Sequence, residues 1–433
     1  MTPLKFIHAA DIHLGRPFSG LRRSSPELGN LFLQAGYDAW DRIVTTAIDR
    51  KVDFLTIGGD VFDGANPTVR ARVAFKNGLE RLYEAKVPVY LAVGNHDPLK
   101  SFPESLRTLP GLHLFGPSPE GMRLAAMELT DGVMIFGASF EKAVTTDNLV
   151  SKFRRDPGVD LAIGVVHANV AGRSGHENYA PCTQDDLRIA GMDIWCLGHV
   201  HSCEILSQEP LILYPGTSQG AHINESGPCG CYLVTADSVG AAAQFVPLAP
   251  VYWLNIDLDV ADSQNSEDLV EAAEAACSST TFSFSDGDSV RALVVRLNLT
   301  GEGGPQDLRM VYKDAEFFEV LCERLAMLPI PVFIESIRDS TRSLTDMEAL
   351  RNEEGFLGDF LNLCRRSLED LAMRDTLLVG VQAELSKKLL RRYIVPQLDL
   401  EAMKDDPQAL ATLVDEAAEL VARMFMEPGE KRL

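Results

Sequence analysis

Asp11 and His13 stand two residues apart directly behind an apolar run, Leu4 to Ala10. Four further runs end in the same manner. Val52 to Gly59 leads to Asp60, Val87 to Gly94 to Asn95-His96-Asp97, Asp160 to Val166 to His167, and Met192 to Gly198 to His199-Val200-His201. Each ending offers a metal ion an oxygen or nitrogen donor. In extended or loop backbone, a spacing of two lets Asp11 and His13 reach one ion. Asp60 follows two glycines, whose lack of a side chain permits close approach, and its two carboxylate oxygens can bridge two cations. Asn95 adds a neutral oxygen, and His167, His199 and His201 add imidazoles. This thiolate-free set suits Mn²⁺, Fe²⁺ or Zn²⁺, and fits a structural tetrahedral zinc or Ca²⁺ poorly. Two such ions about 3.5–4 Å apart form a clamp that activates water and neutralises phosphate oxygens during phosphoester hydrolysis. His96, beside Asn95, is placed to stabilise or protonate the leaving side. Asp97 can orient His96 or cap the segment after it.

Such residues converge only if strands carry them to one edge. Asp53 to Gly58, Pro88 to Val93 and Leu161 to Val166 are short, strongly apolar and bounded by Gly, Asp or Asn, as strands buried on both faces are. Val133 to Phe136 and Cys231 to Thr235 read as further strands. Tyr37 to Lys51 and Thr68 to Lys86 have helical spacing, with Thr68 the N-cap. Stacked sheets flanked by helices, an α/β sandwich, are expected over residues 1–247. The pattern restarts after Leu248-Ala249-Pro250. Val251 to Val260, Val290 to Leu299 and Val332 to Ile337 read as strands around helices at Ser266 to Cys277 and Asp314 to Leu328, with Ser266 able to cap. That makes 248–339 a small β-α-β-α-β domain. Residues 340–433 read as helical and charged, with Leu357, Phe360, Leu361 and Leu368, then Leu385, Leu389 and Leu390, at helical spacing before Pro396 interrupts.

The 433 residues carry a formal net charge of −22. That argues against gripping nucleic acid by bulk charge and leaves such a role to a local basic patch, bound metal or a partner. No apolar run approaches the roughly 20 residues that span a bilayer, and Met1 to Lys5 leads into a strand without a cleavage pattern. The eight cysteines are scattered without a paired framework. Reduced thiols, a cytoplasmic location and no membrane partner are therefore expected.

Together, Asp11-x-His13, Gly59-Asp60, Gly94-Asn95-His96-Asp97, His167 and Gly198-His199-x-His201 resemble the calcineurin-like metallophosphoesterase superfamily in every motif. The resemblance implies a four-layer αββα sandwich and two metals, one on Asp11, His13, Asp60 and His201, the other on Asp60, Asn95, His167 and His199. Phe6 to Phe18, Pro215 to Gly220 and Gly230 to Val234 narrow it to the YhaO/SbcD-type bacterial DNA repair exonuclease subunits. That group implies a Mn-dependent nuclease with a capping domain at 248–339. Its helical region, 340–433, would dock an SMC-like coiled-coil ATPase of the YhaN or SbcC type, and the nuclease chain would form a homodimer acting on DNA. Two positions depart from the pattern. Asp63 stands where archaeal and eukaryotic members carry a histidine, and Ala221 replaces an arginine before His222. Asp63, Asp97 and His222 are thus expected neighbours of the site, and Arg16, Arg22 and Arg23 can meet phosphates. His8 is expected to be packed or at the surface, His113 to stand apart from the site, and His176 is left open. The same chemistry also allows a phosphodiesterase or phosphatase on small molecules or phosphoproteins, or a mainly structural subunit of an ATPase complex.

Overall fold

The computed structural model describes residues 3–18, 26–123, 132–172, 178–237, 239–282, 290–301, 314–341 and 347–370, with isolated helical positions between 373 and 425. Arg22, Arg23, His176, Leu385, Leu389, Leu390 and Pro396 lie outside the described residues. The chain divides into two compact units, Met1–Ser340 and Thr341–Leu433.

Twelve strands of the first unit run in chain order: β1 (Leu4–Ala9), β2 (Phe54–Ile57), β3 (Val89–Leu91), β4 (Leu112–Leu114), β5 (Glu120–Arg123), β6 (Val133–Ala138), β7 (Leu161–His167), β8 (Ile194–Gly198), β9 (Glu204–Gln208), β10 (Leu211–Tyr214), β11 (Gly230–Ala236) and β12 (Ala241–Pro247). They pair into two six-stranded sheets, ordered β12-β11-β1-β2-β3-β4 and β5-β6-β7-β8-β10-β9. β1 to β4 are mutually parallel, as are β6, β7, β8 and β10, while β11 pairs antiparallel with β1, β12 with β11, β5 with β6 and β9 with β10. Parallel strands end on the same side, so the residues after β1, β2 and β3 share one edge of the first sheet. Those after β7 and β8 share one edge of the second.

Side chains of a strand alternate between faces, and here both faces are covered. Phe6, Phe54, Ile163 and Val165 point into a core built from both sheets, where Phe6 stacks on Phe54 with ring centroids 4.6 Å apart. Their neighbours Ile7 and Leu55 face the other way, against helices α1 (Pro26–Asp49) and α2 (Val69–Glu84) through Trp40, Ile43, Phe75 and Leu82. Ala162 and Val166 pack toward the helix Gln184–Ala190 on the far side. The layers are helix, sheet, sheet, helix, an αββα sandwich. Thr68 caps α2, its hydroxyl accepting from the Ala71 N–H at 3.1 Å.

Within the same unit, β13 (Val251–Asp259), β14 (Ala292–Thr300) and β15 (Val332–Asp339) form an all-parallel sheet in that order, covered by helices Ser266–Phe282 and Ala315–Ala326 around their own core. Two local expectations are corrected. The helix at Ser266 is capped by Asn265, whose side-chain oxygen accepts from the N–H groups of Glu267 and Asp268 at 2.9 and 3.0 Å; the shorter serine is already inside the first turn. α1 begins at Pro26 rather than Tyr37, because Phe32 and Ala35 bury against Val251 and Trp253 of β13 instead of the sheet that buries the rest of the helix. In the second unit, helices Met347–Arg351 and Phe356–Glu369 share a small core formed by Leu350, Leu361, Ala418 and Ala422. Among the described residues no helix is long and apolar enough to cross a membrane.

His8 pins the two sheets together. It is fully buried, with Nδ1 3.0 Å from the Thr56 hydroxyl and Nε2 2.9 Å from the Leu197 carbonyl oxygen. Burial holds its pKa down at about 4. The unfolded chain, with an ordinary histidine near 6.5, therefore takes up this proton first as pH falls. Stability from His8 is complete above about pH 6.5 and drains away toward pH 4, to a total of about 3 kcal/mol. Urea-unfolding midpoints measured from pH 7.5 to 4.5 should fall more steeply for the parent than for His8→Gln, which has nothing to titrate. Equal slopes would remove His8 from the account.

Candidate metal centre

The backbone is bent where the strands end. Asp11, His13 and Asp60 sit at φ of +49°, +46° and +51°, and His199 at +102°. Aspartate and histidine tolerate the left-handed region better than most residues, but strained conformations persist only where the surroundings over-determine them. Here they do. The N–H groups of Asp11, His13 and Leu14 donate to the carbonyls of Gly59, Asp60 and Val61 at 3.0, 3.0 and 2.8 Å, locking the first loop onto the second. The His199 N–H donates to both Asp11 carboxylate oxygens at 3.2 and 3.0 Å, which joins the two sheets.

The joint needs glycine. A Cβ on Gly198 would lie 2.0 Å from the Gly58 carbonyl oxygen, and one on Gly94 would lie 2.3 Å from Asp60 Oδ1 and 2.8 Å from His167 Nδ1. Because no side chain intervenes, all seven candidate ligands meet. His13 Nε2 and His201 Nε2 are 3.2 Å apart, and each lies near Asp11 Oδ1, at 4.0 and 3.8 Å. His167 Nε2 is 3.0 Å from Asn95 Oδ1 and 3.3 Å from His199 Nδ1. Asp60 lies between the two groups. Its Oδ2 is 3.9 Å from His13 Nε2 and 3.5 Å from His167 Nε2, while Oδ1 accepts from the His96 N–H at 3.0 Å.

These donors fit divalent cations. Ligand atoms about 2.0–2.2 Å from one ion sit about 3–3.6 Å from one another in a tetrahedral or octahedral shell, close to the separations found. The ring orientations agree as well. His167 Nδ1 faces the Gly58 carbonyl oxygen at 2.9 Å, so it must carry the proton, and the Nε2 lone pair faces the cluster. His201 Nδ1 faces the Glu225 carboxylate at 2.5 Å with the same consequence. Such partners orient metal-binding histidines. The site's electrostatics also favour a bound cation. Burial pushes the Asp11 and Asp60 carboxyls well above the usual carboxylate range. Burial, and then the neighbouring His201, push His13 well below the usual imidazole value. Burial thus disfavours the charged forms of all three groups; a divalent ion would stabilise the anionic carboxylates and use the neutral imidazole.

The expected neighbours fall into place differently. His96 is partly exposed beside the buried His13, ring centroids 4.7 Å apart, and with His13 and Asp60 it forms a donor group that can itself meet an ion. Asp97 neither orients His96 nor caps the next segment. Its Oδ2 accepts from the N–H groups of Val61 and Phe62 at 2.7 and 3.2 Å and its Oδ1 from Gly94 at 3.1 Å, tying the Asp60 loop to the Asn95 loop. Asp63 lies 3.5 Å from His13 Nδ1 and 3.9 Å from Arg16, and His222 lies 3.4 Å from Glu225. His113 stands apart, stacked on Tyr90. Glu225 carries no sequence signal of its own, yet it belongs to the site. It receives Arg16 Nη1 at 2.8 Å and the Ala221 N–H at 2.7 Å as well as His201. Burial alone would raise its carboxyl, but His201 and Arg16 pull it down to about 2. All eight cysteines are free thiols.

A family model described as calcineurin-like phosphoesterase matches residues 4–203. Over 385 residues the chain is 30% identical to the metallophosphoesterase YhaO of Bacillus subtilis (strain 168), covering 86% of this chain and 90% of the relative. The SbcD component of the nuclease SbcCD from the same organism is 26% identical over 259 residues, 58% of this chain and 57% of that one. The DNA double-strand break repair protein Mre11 of Haloferax volcanii is 27% identical over 265 residues, 59% and 55% of the two chains.

The glycine contacts give a direct test of the centre. Gly94→Ala should displace Asp60 and His167 and lower the number of Mn²⁺ ions bound in equilibrium dialysis. Gly36→Ala, where nothing lies within 4 Å of the added methyl, should leave it unchanged. Unaltered metal binding by Gly94→Ala would show that Asp60 and His167 are not ligands.

Proposed function

The chain belongs to the calcineurin-like metallophosphoesterases, and we propose that within this family it is a manganese-dependent nuclease subunit acting in DNA repair. One observation carries the hydrolytic part of this reading: a single carboxylate oxygen, Asp60 Oδ2, faces imidazole nitrogens of both donor groups. Asp11, His13, Asp60 and His201 would hold one ion, and Asp60, Asn95, His167 and His199 the other. When bound, two such ions activate water and neutralise phosphate oxygens. The mixed oxygen and nitrogen, thiolate-free donor set admits Mn²⁺, Fe²⁺ or Zn²⁺, and Mn²⁺ is proposed among them from the resemblance to the YhaO/SbcD-type nucleases.

His96 acts as the general acid in this scheme. Its backbone N–H is fixed on Asp60 Oδ1, while its ring is partly exposed where a substrate arrives. From there it donates a proton to the leaving oxygen, and Asp97 holds the loop that carries it. The likeness to the nuclease SbcCD and to the break-repair protein Mre11 favours DNA as the substrate. A net charge of −22 makes unaided binding of a polyanion weak. This supports a partner that supplies DNA affinity, for which an SMC-like ATPase of the YhaN or SbcC type docked on residues 340–433 is the candidate. Residues 248–339 would cap the site of a homodimeric, cytoplasmic enzyme.

The full chain with Mn²⁺ should hydrolyse linear DNA, and His96→Ala should lose about 10²–10⁴-fold in rate while retaining its metal. Undiminished rates in that variant would sink the role of His96. Assaying DNA, cyclic nucleotides and bis-p-nitrophenyl phosphate side by side decides the substrate. Turnover of the small diesters with none of DNA, even with the ATPase present, would replace the nuclease reading with a small-molecule phosphodiesterase.

A further inference from the structure

We propose that Glu225 is a positioning residue for one half of the metal centre, the half formed by Asp11, His13 and His201, and that the other half does not depend on it. The inference rests on the two-metal reading above. Of the 62 acidic residues in the chain, the described ones that are buried are Asp11, Asp60, Asp97 and Glu225. The three aspartates carry or brace the cluster directly. Glu225 lies 214 positions from Asp11 in sequence, yet it is buried against the same site.

Its geometry assigns the role. Oε1 accepts from His201 Nδ1 at 2.5 Å and from Arg16 Nη1 at 2.8 Å, and Oε2 accepts from the Ala221 N–H at 2.7 Å. A proton on Nδ1 leaves the Nε2 lone pair of His201 directed toward His13 Nε2 and Asp11 Oδ1, at 3.2 and 3.8 Å. The carboxylate thus selects both the tautomer and the ring angle. Arg16 extends the hold to the first loop, three residues beyond His13.

Glu225 is itself braced. Its loop is fastened to β13 by the Gln219 amide, which donates to the Val251 carbonyl at 2.8 Å and accepts from the Val251 N–H at 3.2 Å. The Trp253 indole donates to the Gly220 carbonyl at 2.9 Å, and the Gly227 N–H donates to the Trp253 carbonyl at 2.8 Å. The second donor group is held by other means, with His167 on the Gly58 carbonyl and the Asn95 loop on Asp97.

The test is a Mn²⁺ titration of metal-free full-length protein, read by equilibrium dialysis with elemental analysis and by the electron paramagnetic resonance of the bound ions. The parent should bind two ions with a spin-coupled spectrum. Glu225→Ala should keep one ion at the parent affinity, bind the other about 10–100-fold more weakly, and show a single-ion spectrum at concentrations that saturate the parent. Two ions at parent affinities, or equal weakening of both, would overturn the role of Glu225. A parent that binds no Mn²⁺ would overturn the two-metal reading instead. Should Glu225→Ala fail to fold, Glu225→Gln serves in its place, since its amide oxygen still accepts from Nδ1. It should show a smaller loss confined to one ion, and unchanged or uniformly reduced affinities would again refute the assignment.

Discussion

Two sheets can share a metal centre only if their strand ends approach more closely than side chains allow. Gly58 and Gly198 meet that constraint, because any Cβ at Gly198 would collide with the Gly58 carbonyl. Most other features of the site derive from this contact. It puts His167 Nδ1 on the Gly58 carbonyl and brings the His199 N–H onto Asp11. The candidate ligands after β1, β2 and β3 thereby face those after β7 and β8 across a few ångströms. The left-handed conformations at Asp11, His13 and Asp60 are the local cost of ending two parallel strands, β1 and β2, against a second sheet. The N–H bonds between the first two loops keep that cost from being relieved by unfolding of the loops.

The strand-end motifs were legible because parallel strands buried on both faces give continuous apolar runs, and the chemistry begins where each run stops. β2, β3 and β7 show this pattern with all their residues buried. The edge strands β5, β9 and β12 were not legible. They are antiparallel, and β9 and β12 are only partly buried, so their residues mix polar and apolar types without a clear period. α1 was read short because Phe32 and Ala35 bury against β13 rather than the sheet, so one helix serves two cores in succession. Asn265 was missed for a smaller reason: both it and Ser266 are good caps, and only the backbone turn decides between them.

Glu225 marks the deeper limit. An isolated glutamate in an acidic chain has no spacing signal, and its partners His201 and Arg16 lie 24 and 209 positions away. Asp97 was noticed for its place beside His96, yet its bonds run to backbone N–H groups 36 and 35 residues earlier. Motifs report groups that face an ion, because several must occur at strand ends in order. Residues that hold those groups in place answer only to three-dimensional proximity, and any element that passes nearby can supply them.

The net charge and the site pull in opposite directions, and burial reconciles them. An excess of acid over the whole surface repels a polyanion at long range, but that repulsion is screened over about 8–10 Å at ordinary ionic strength. The cluster is different. Asp11 and Asp60 are removed from water, so their charge is little screened and is disfavoured by burial, which a bound cation would offset. Two divalent ions would bring four positive charges to a point where the protein supplies two carboxylates and a set of neutral donors, so the loaded centre is locally positive inside an acidic shell. A phosphodiester is then attracted only at close range and only at the site. Under the proposed nuclease reading, something other than surface charge would then have to bring a long polyanion close enough to the site to benefit.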